Sequence, residues 1–164
     1  MIKLLVFDVD GCLTDGSIIY GSNKDEYKSF NVKDGLAIAS WNRLGLKSAI
    51  ITGRNSKIVE RRAKELGITH LHQGIKDKKT LLEEILKEEN LTWENVAAIG
   101  DDLNDYGMLS SVAWSFTPND GVSSIKKCVK TVLNANGGNG AVREMIDCVV
   151  EKEGLKEEFL KLWQ

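Results

Sequence analysis

The sequence has little of several residue types, and each scarcity excludes a class of protein. Its 164 residues include one proline and three cysteines. Cys12, Cys128 and Cys148 are odd in number and far apart, which argues against a disulfide framework and fits a reducing cytoplasm. One proline and 15 glycines without a period exclude collagen-like and proline-rich disordered chains. No apolar run approaches the ~18 residues that span a bilayer. The opening MIKLLVFDVD meets a carboxylate by residue 8, so it does not read as a signal peptide. An excess of one charge is missing too. The 22 Lys and Arg against 24 Asp and Glu leave a net charge of −2, without the basic excess of a nucleic-acid-binding chain. With 42% apolar and 28% charged residues, the expectation is one soluble, cytoplasmic domain over residues 1–164, with no nucleic-acid or membrane partner.

What is present alternates. Lys3–Val9 is a nearly unbroken apolar run, the signature of a strand buried on both faces. Residues 17–31 alternate loosely around the polar turn Gly21–Asp25 and predict a β-hairpin. Asp34–Leu44 reads as a helix stopped by Gly45, and Lys47–Ile51 as a second buried strand. Ser56–Leu66 is a helix with Ser56 as N-cap and Gly67 as stop. A short strand at Thr69–His72 precedes a charged helix over Lys76–Glu89, whose Leu81, Leu82, Ile85 and Leu86 form one apolar stripe. Further strands are expected at Val96–Ile99, Val112–Phe116 and Val129–Leu133. Helices are expected at Asn104–Ser110, Val122–Lys127, Ala141–Glu153 and, at the tail, Leu155–Trp163. This alternation predicts an α/β, doubly wound, mostly parallel sheet with helices on both faces and a hairpin after the first strand.

Two of the predicted strands end in acid: Asp8-Val9-Asp10-Gly11, and Gly100-Asp101-Asp102-Leu103-Asn104-Asp105. In open α/β sheets the ligand crevice lies beyond the carboxyl ends of the strands, so the clusters converge if the two strands are neighbours. Two carboxylates ~4 Å apart repel by about 4 kcal/mol at an effective dielectric of 20. Several together need protons or a cation, and an oxygen donor set beside phosphate favours Mg2+. Capping explains single acids equally well, and Asp102 is a natural N-terminal helix charge. A calcium loop does not fit, because Gly11 falls at the fourth place and Ile19 at the twelfth. Thr52-Gly53-Arg54 precedes a helix N-terminus, where phosphate is readily held. Lys78 lies in the run Gly74–Lys79 and offers phosphate a point charge.

The order Asp8-x-Asp10-Gly11, Thr52, Lys78, Gly100-Asp101-Asp102-x-x-Asp105 resembles the four motifs of the haloacid dehalogenase superfamily of phosphatases. The stretches FDVDGCLTDG, FNVKDG, IITGR, HQGIKDK, IGDDLND and GGNGAVRE, from residue 7 to 144, narrow the resemblance to its capless 3-deoxy-D-manno-octulosonate 8-phosphate (KDO 8-phosphate) phosphatase family. The resemblance implies a phosphoric monoester hydrolase of lipopolysaccharide KDO biosynthesis, working through an aspartyl phosphate. It implies Asp8 as nucleophile, Asp10 as general acid and then base, and Thr52 and Lys78 as holders of the phosphoryl oxygens. Mg2+ would be bound by Asp8, the Asp10 carbonyl and Asp101, with Asp102 or Asp105 acting indirectly. Asn31, Val32, Lys33, Asp34, Gly35, Arg54 and Arg62 would contact the sugar acid, together with Asp10 and Lys78. Two departures stand out: Cys12 where relatives often carry Thr or Val, and Ala39 where relatives can carry an arginine.

Only 36 residues separate Asp15 from Thr52 and 25 separate Thr52 from Lys78, which leaves no room for a cap domain. The family's solution is a homotetramer in which neighbours, glycine-rich tail included, cover the site. The apolar Ile18, Ile19 and Tyr20 on a hairpin favour such a contact. Gly137–Gly140 reads as mobile by composition, and Arg143 beyond it is equally a substrate-carboxylate ligand or a surface residue. His70 and His72, two apart on a strand, could chelate zinc but lack a third ligand nearby. The tryptophans and the apolar stripe of the last helix read as packing. Rival readings are a phosphatase of another sugar phosphate, such as a nonulosonate 9-phosphate, a receiver-like domain phosphorylated on aspartate, and a non-catalytic oligomerisation domain.

Overall fold

The computed structural model describes residues 1–164. Eight strands and seven helices follow the predicted order. The first apolar run forms β1 (Leu4–Phe7), buried along its whole length, and then turns sharply through Val9–Leu13. The strand therefore stops two residues earlier than its hydrophobicity suggests, and Asp8 lies in the exit rather than in the ladder. The hairpin pairs β2 (Ile19–Tyr20) with β3 (Glu26–Tyr27). Helix α1 (Val32–Arg43) starts two residues before the predicted Asp34, because the Asn31 side chain accepts hydrogen bonds from the backbone N–H groups of Lys33 and Asp34. Next come β4 (Lys47–Ile51), α2 (Lys57–Leu66), β5 (His70–His72), α3 (Lys78–Glu88) and β6 (Val96–Ile99). A turn at Leu103–Asp105 leads into α4 (Tyr106–Leu109), and β7 (Trp114–Thr117), α5 (Ser123–Cys128), β8 (Thr131–Val132), α6 (Ala141–Lys152) and α7 (Lys156–Lys161) complete the chain. Ser56 caps α2 and Gly67 ends it in the left-handed conformation, as the sequence predicts. Asp77 caps α3, so that helix begins at Lys78 rather than at Lys76.

Six strands form one fully parallel sheet in the order β5-β4-β1-β6-β7-β8. Alternation along β1 explains why its sequence is apolar throughout. Leu5 and Phe7 enter a core with Ile38 and Trp41 of α1, Val59 and Ala63 of α2, and Val142, Met145 and Val149 of α6. Leu4 and Val6 face the opposite side, where Leu82, Ile85 and Leu86 of α3, Met108 of α4 and Ile125 of α5 cover the sheet. The sheet is thus doubly wound. The tail helix docks on its own chain: Trp163 Nε1 donates to Ser40 Oγ at 3.0 Å, and the Arg43 guanidinium lies 4.8 Å from the Trp163 ring centre. Only the hairpin and α1 stand between β1 and β4, so no cap domain is present. All three cysteines are unbridged. No helix is long and apolar enough to cross a membrane.

Candidate active site

The decisive neighbours are β1 and β6, hydrogen-bonded in register from Leu4–Val96 to Phe7–Ile99. Both acid clusters therefore leave the sheet at the same edge, Asp8 one residue and Asp101 two residues beyond the paired Phe7 and Ile99. Thr52 leaves β4 there too, its N–H donating to the His72 carbonyl at 3.0 Å. Asp8, Asp10, Thr52, Asp101 and Asp102 line one cavity of about 290 Å3, with Gly53, Arg54 and Asn104 on its wall. A larger open groove of about 670 Å3 runs beside α6 past Lys33, Trp114 and Arg143, but no strand-end carboxylate reaches it.

Lys78 enters from the start of α3 and is fully buried. Its Nζ donates to Asp8 Oδ1 and to Asp105 Oδ1, both at 2.6 Å. Asp105 also accepts from the backbone N–H groups of Asp101 (3.0 Å) and Asp102 (3.4 Å), so it ties the fourth-motif loop to the lysine. Asp102 caps the following turn through the Leu103 N–H, in agreement with the capping alternative for that residue. Burial alone would lower the Lys78 ammonium, but Asp8 and Asp105 overcome it and push it up to about 12. The acids show the opposite strain. Burial, then Asp105, pushes Asp8 up to about 8, and burial, then Asp105 and Asp102, pushes Asp101 up to about 7. One ammonium does not neutralise three crowded carboxylates.

Asp8, Cys12 and Asp101 each bring one possible ligand atom within 4.8 Å of the others. Burial and the surrounding acids raise the Cys12 thiol well above its ordinary range, so the carboxylates remain the anionic donors. An uncompensated oxygen donor set of this kind fits a hard divalent cation. Gly11, at φ 93°, is required beside it, because a Cβ there would run into the Asp101 carboxylate.

The remaining candidates distribute unevenly. Arg54 lies on the cavity wall and donates to Glu26 Oε1 at 3.4 Å. Asn31, Val32, Lys33, Asp34, Gly35 and Arg62 do not line this cavity within the single chain. They gather around the start of α1, where Arg62 donates to the Asn31 carbonyl at 3.4 Å and lies over the Phe30 ring. The side chain of Arg143 pairs with Asp147 rather than reaching the acids. Gly137–Gly140, expected to be mobile, is packed. Gly138 N–H donates to the Cys12 carbonyl at 2.9 Å, Gly137 N–H donates to Asp120 Oδ1 at 2.9 Å, and a Cβ on Gly137 would collide with the Gly11 carbonyl. The segment thus braces the Gly11–Asp15 turn of its own chain, a role that glycine content alone does not reveal. His70 pairs with Glu89 at 2.6 Å and lies outside the cavity. One residue of the site escaped the sequence reading altogether: Lys28, whose Nζ lies 2.6 Å from Asp10 Oδ1. Its only sequence signal was its spacing of two from Glu26 on a strand.

A parallel six-stranded sheet with acids at the ends of adjacent strands and a buried lysine between them defines a haloacid dehalogenase-like hydrolase, and a family model of that description matches residues 71–146. The chain is 41% identical over 157 residues to the 3-deoxy-D-manno-octulosonate 8-phosphate phosphatase of Escherichia coli K12, spanning 96% of this chain and 84% of that one. Among solved structures, the Moraxella catarrhalis 3-deoxy-D-manno-octulosonate 8-phosphate phosphatase, in complex with magnesium, phosphate and KDO, is 39% identical with a TM-score of 0.95, covering 99% of this chain and 94% of that one. The cobalt-bound Haemophilus influenzae phosphatase is 38% identical with a TM-score of 0.89, covering 93% and 90%. The chain belongs to this phosphatase family within the haloacid dehalogenase-like hydrolases.

Proposed function

We propose that the protein is a Mg2+-dependent phosphomonoesterase that hydrolyses 3-deoxy-D-manno-octulosonate 8-phosphate to KDO and phosphate. The observation that carries this reading is the convergence of Asp8, Asp10, Thr52, Lys78 and Asp101 at one sheet edge. Asp8 is the nucleophile: its carboxylate attacks phosphorus and forms an aspartyl phosphate, while Asp10 gives a proton to the departing sugar oxygen. Asp10 then takes a proton from the water that hydrolyses the aspartyl ester. Lys78 and Thr52 hold the phosphoryl oxygens, and fixed donors of this kind stabilise charge that spreads over those oxygens. Asp8, the Asp10 carbonyl and Asp101 would hold Mg2+, which would supply the positive charge that one lysine leaves short. Arg54 on the cavity wall supports a substrate that carries a carboxylate.

The hairpin supports an assembly of copies. Ile18, Ile19, Tyr20 and Tyr27 are all exposed on a two-stranded ribbon, and such ribbons seek further pairing. A homotetramer in which a neighbour covers the cavity, and brings the Asn31–Gly35 and Arg62 region toward it, accounts for both the exposed ribbon and the missing cap. A clean monomer mass in light scattering at micromolar concentration overturns that assembly. The unbridged cysteines support a cytoplasmic location.

The test of the activity is phosphate release from a panel of phosphorylated sugars and 2-keto sugar acids, with Mg2+ and with chelator. Metal-dependent turnover, highest on the sugar acid and lost in Asp8→Asn, is expected. Arg54→Ala should reduce turnover of the sugar acid more than turnover of a small aryl ester. Turnover that survives chelation and Asp8→Asn would refute the reading.

A further inference from the structure

A second lysine is half-buried with its side chain largely covered, and nothing in the four motifs accounts for it. The Lys28 side chain is 2% exposed, on a hairpin whose outward side chains are largely open to solvent. Its Nζ lies 2.6 Å from Asp10 Oδ1 and 3.5 Å from Glu26 Oε1. The same Glu26 oxygen accepts from Arg54 at 3.4 Å. Glu26 of β3 and Lys28, one residue beyond its end, turn toward Asp10, while Tyr27 between them is exposed. Charges therefore alternate in space as Asp10, Lys28, Glu26, Arg54. Asp10 and Arg54, the two ends, are both residues that line the cavity.

Burying an ammonium is costly unless it is paired and hydrogen-bonded, so Lys28 fixes where its partners can sit. Asp10 Oδ1 is the oxygen Lys28 occupies, and the other oxygen has no protein partner. We propose that Lys28 is a positioning residue: it locks Asp10 in the rotamer that presents its free oxygen to the ester oxygen of the substrate, while Glu26 sets Arg54 on the same side of the cavity. The inference rests on the phosphatase reading and deepens it. The hairpin would then complete the acid/base group of its own subunit, besides any part it plays between subunits.

Lys28→Met keeps the length and the apolar stem and removes the charge. The kcat/KM of such an enzyme reports the steps up to release of the leaving group. A sugar alkoxide needs the Asp10 proton at that stage, whereas p-nitrophenolate leaves without one. Lys28→Met should therefore lower kcat/KM on the sugar phosphate by about 100-fold, the scale of a misplaced catalytic group, and on p-nitrophenyl phosphate by less than about 10-fold. Lys28→Arg, which keeps the charge, should recover most of the loss. In an Asp10→Asn background, Lys28→Met should cost little more, because the two act as a unit. Equal losses on both esters, or losses that add in the double variant, would overturn the inference and leave the phosphatase reading intact. So would a Lys28→Met protein with wild-type turnover. A wild-type protein that turns over neither ester would overturn the phosphatase reading itself, and the inference with it.

Discussion

Two lysines reach acids of the same cavity by different routes. Lys78 comes from the first turn of a core helix and sits between Asp8 and Asp105, with every partner anchored to the sheet edge. Lys28 comes from a two-stranded ribbon that contributes no residue to either hydrophobic core, and it meets Asp10 and Glu26. Both ammonium groups lie 2.6 Å from an acid of the first motif. The contrast separates what the fold dictates from what an insertion adds. A doubly wound core brings Asp8 and Lys78 together by topology, whereas Asp10 meets a lysine supplied by the hairpin segment.

The sharpest way to break the comparison is to delete the core lysine. Lys78→Met leaves Asp8 and Asp105 facing one another in a buried site, and breaking a buried pair from one side costs about 3–5 kcal/mol. The residual carboxylates take up protons instead, so part of that cost returns at low pH. The expected result in urea denaturation without Mg2+ is a stability loss of about 3 kcal/mol at pH 8, clearly smaller at pH 5. Turnover should fall below detection at both. Lys28→Met, with fewer buried carboxylates around it, should lose less than half as much stability. If the two variants proved equally destabilised, the distinction between core and insertion would fail.

This difference also governs what could be read before any coordinates. That the two acid-tipped strands end at one edge of a parallel sheet was legible; that β1 and β6 are neighbours, which makes the acids converge, was left open by the sequence and comes from the strand pairing. Helix ends were legible where a cap side chain marked them, as at Ser56. They were misjudged where the cap lay away from the expected start, before it at Asn31 and after it at Asp77. Lys28 was illegible, because a lysine in a polar hairpin ordinarily solvates its face. Its burial depends on Asp10, 18 residues earlier in the chain. Gly137–Gly140 misled for a related reason: composition reports freedom of the isolated segment, and the Gly11 carbonyl that fills the space beside Gly137 belongs to another loop.

A smaller effect sharpens the comparison from the metal side. Without Mg2+, Asp8 and Asp101 are held up to about 8 and about 7, chiefly by burial. Both folded-state values lie above the unfolded ones, so ionising these acids destabilises the metal-free fold progressively as pH rises from about 4 to about 8. A divalent cation must displace the same protons, so its affinity should rise over that window. Thermal unfolding with a fixed excess of Mg2+ is expected to show a larger stabilisation at pH 8 than at pH 6, about 2–3 kcal/mol at a hundredfold excess over Kd. Calorimetry in two buffers of different ionisation enthalpy should show proton release on binding. Lys28→Met should change neither result much, whereas Asp101→Asn should remove most of both. A Mg2+ stabilisation that weakens with rising pH would contradict the donor set.

Asp34 provides the case with no lysine at all. It is buried at the start of α1, accepts the Arg143 backbone N–H at 2.9 Å through Oδ1, and leaves Oδ2 without a partner. Burial pushes it up to about 6, although the Arg143 N–H and the Arg62 and Arg143 charges pull it down. A raised carboxylate favours the protonated fold, so its contribution to stability is greatest below about pH 4 and is lost as pH climbs to about 6. An elevation of this size corresponds to at most about 3 kcal/mol. Asp34→Asn keeps an acceptor for the α6 N-terminus and removes the titration. We expect the variant to gain about 1 kcal/mol at pH 7, once the amide's own unpaired N–H is set against the relieved charge. The gain should vanish near pH 4 in urea melts followed by circular dichroism. A variant less stable at pH 7 than at pH 4, relative to the parent, would mean that the charge of Asp34 is held by the arginines, and that a buried carboxylate here manages without a lysine of its own.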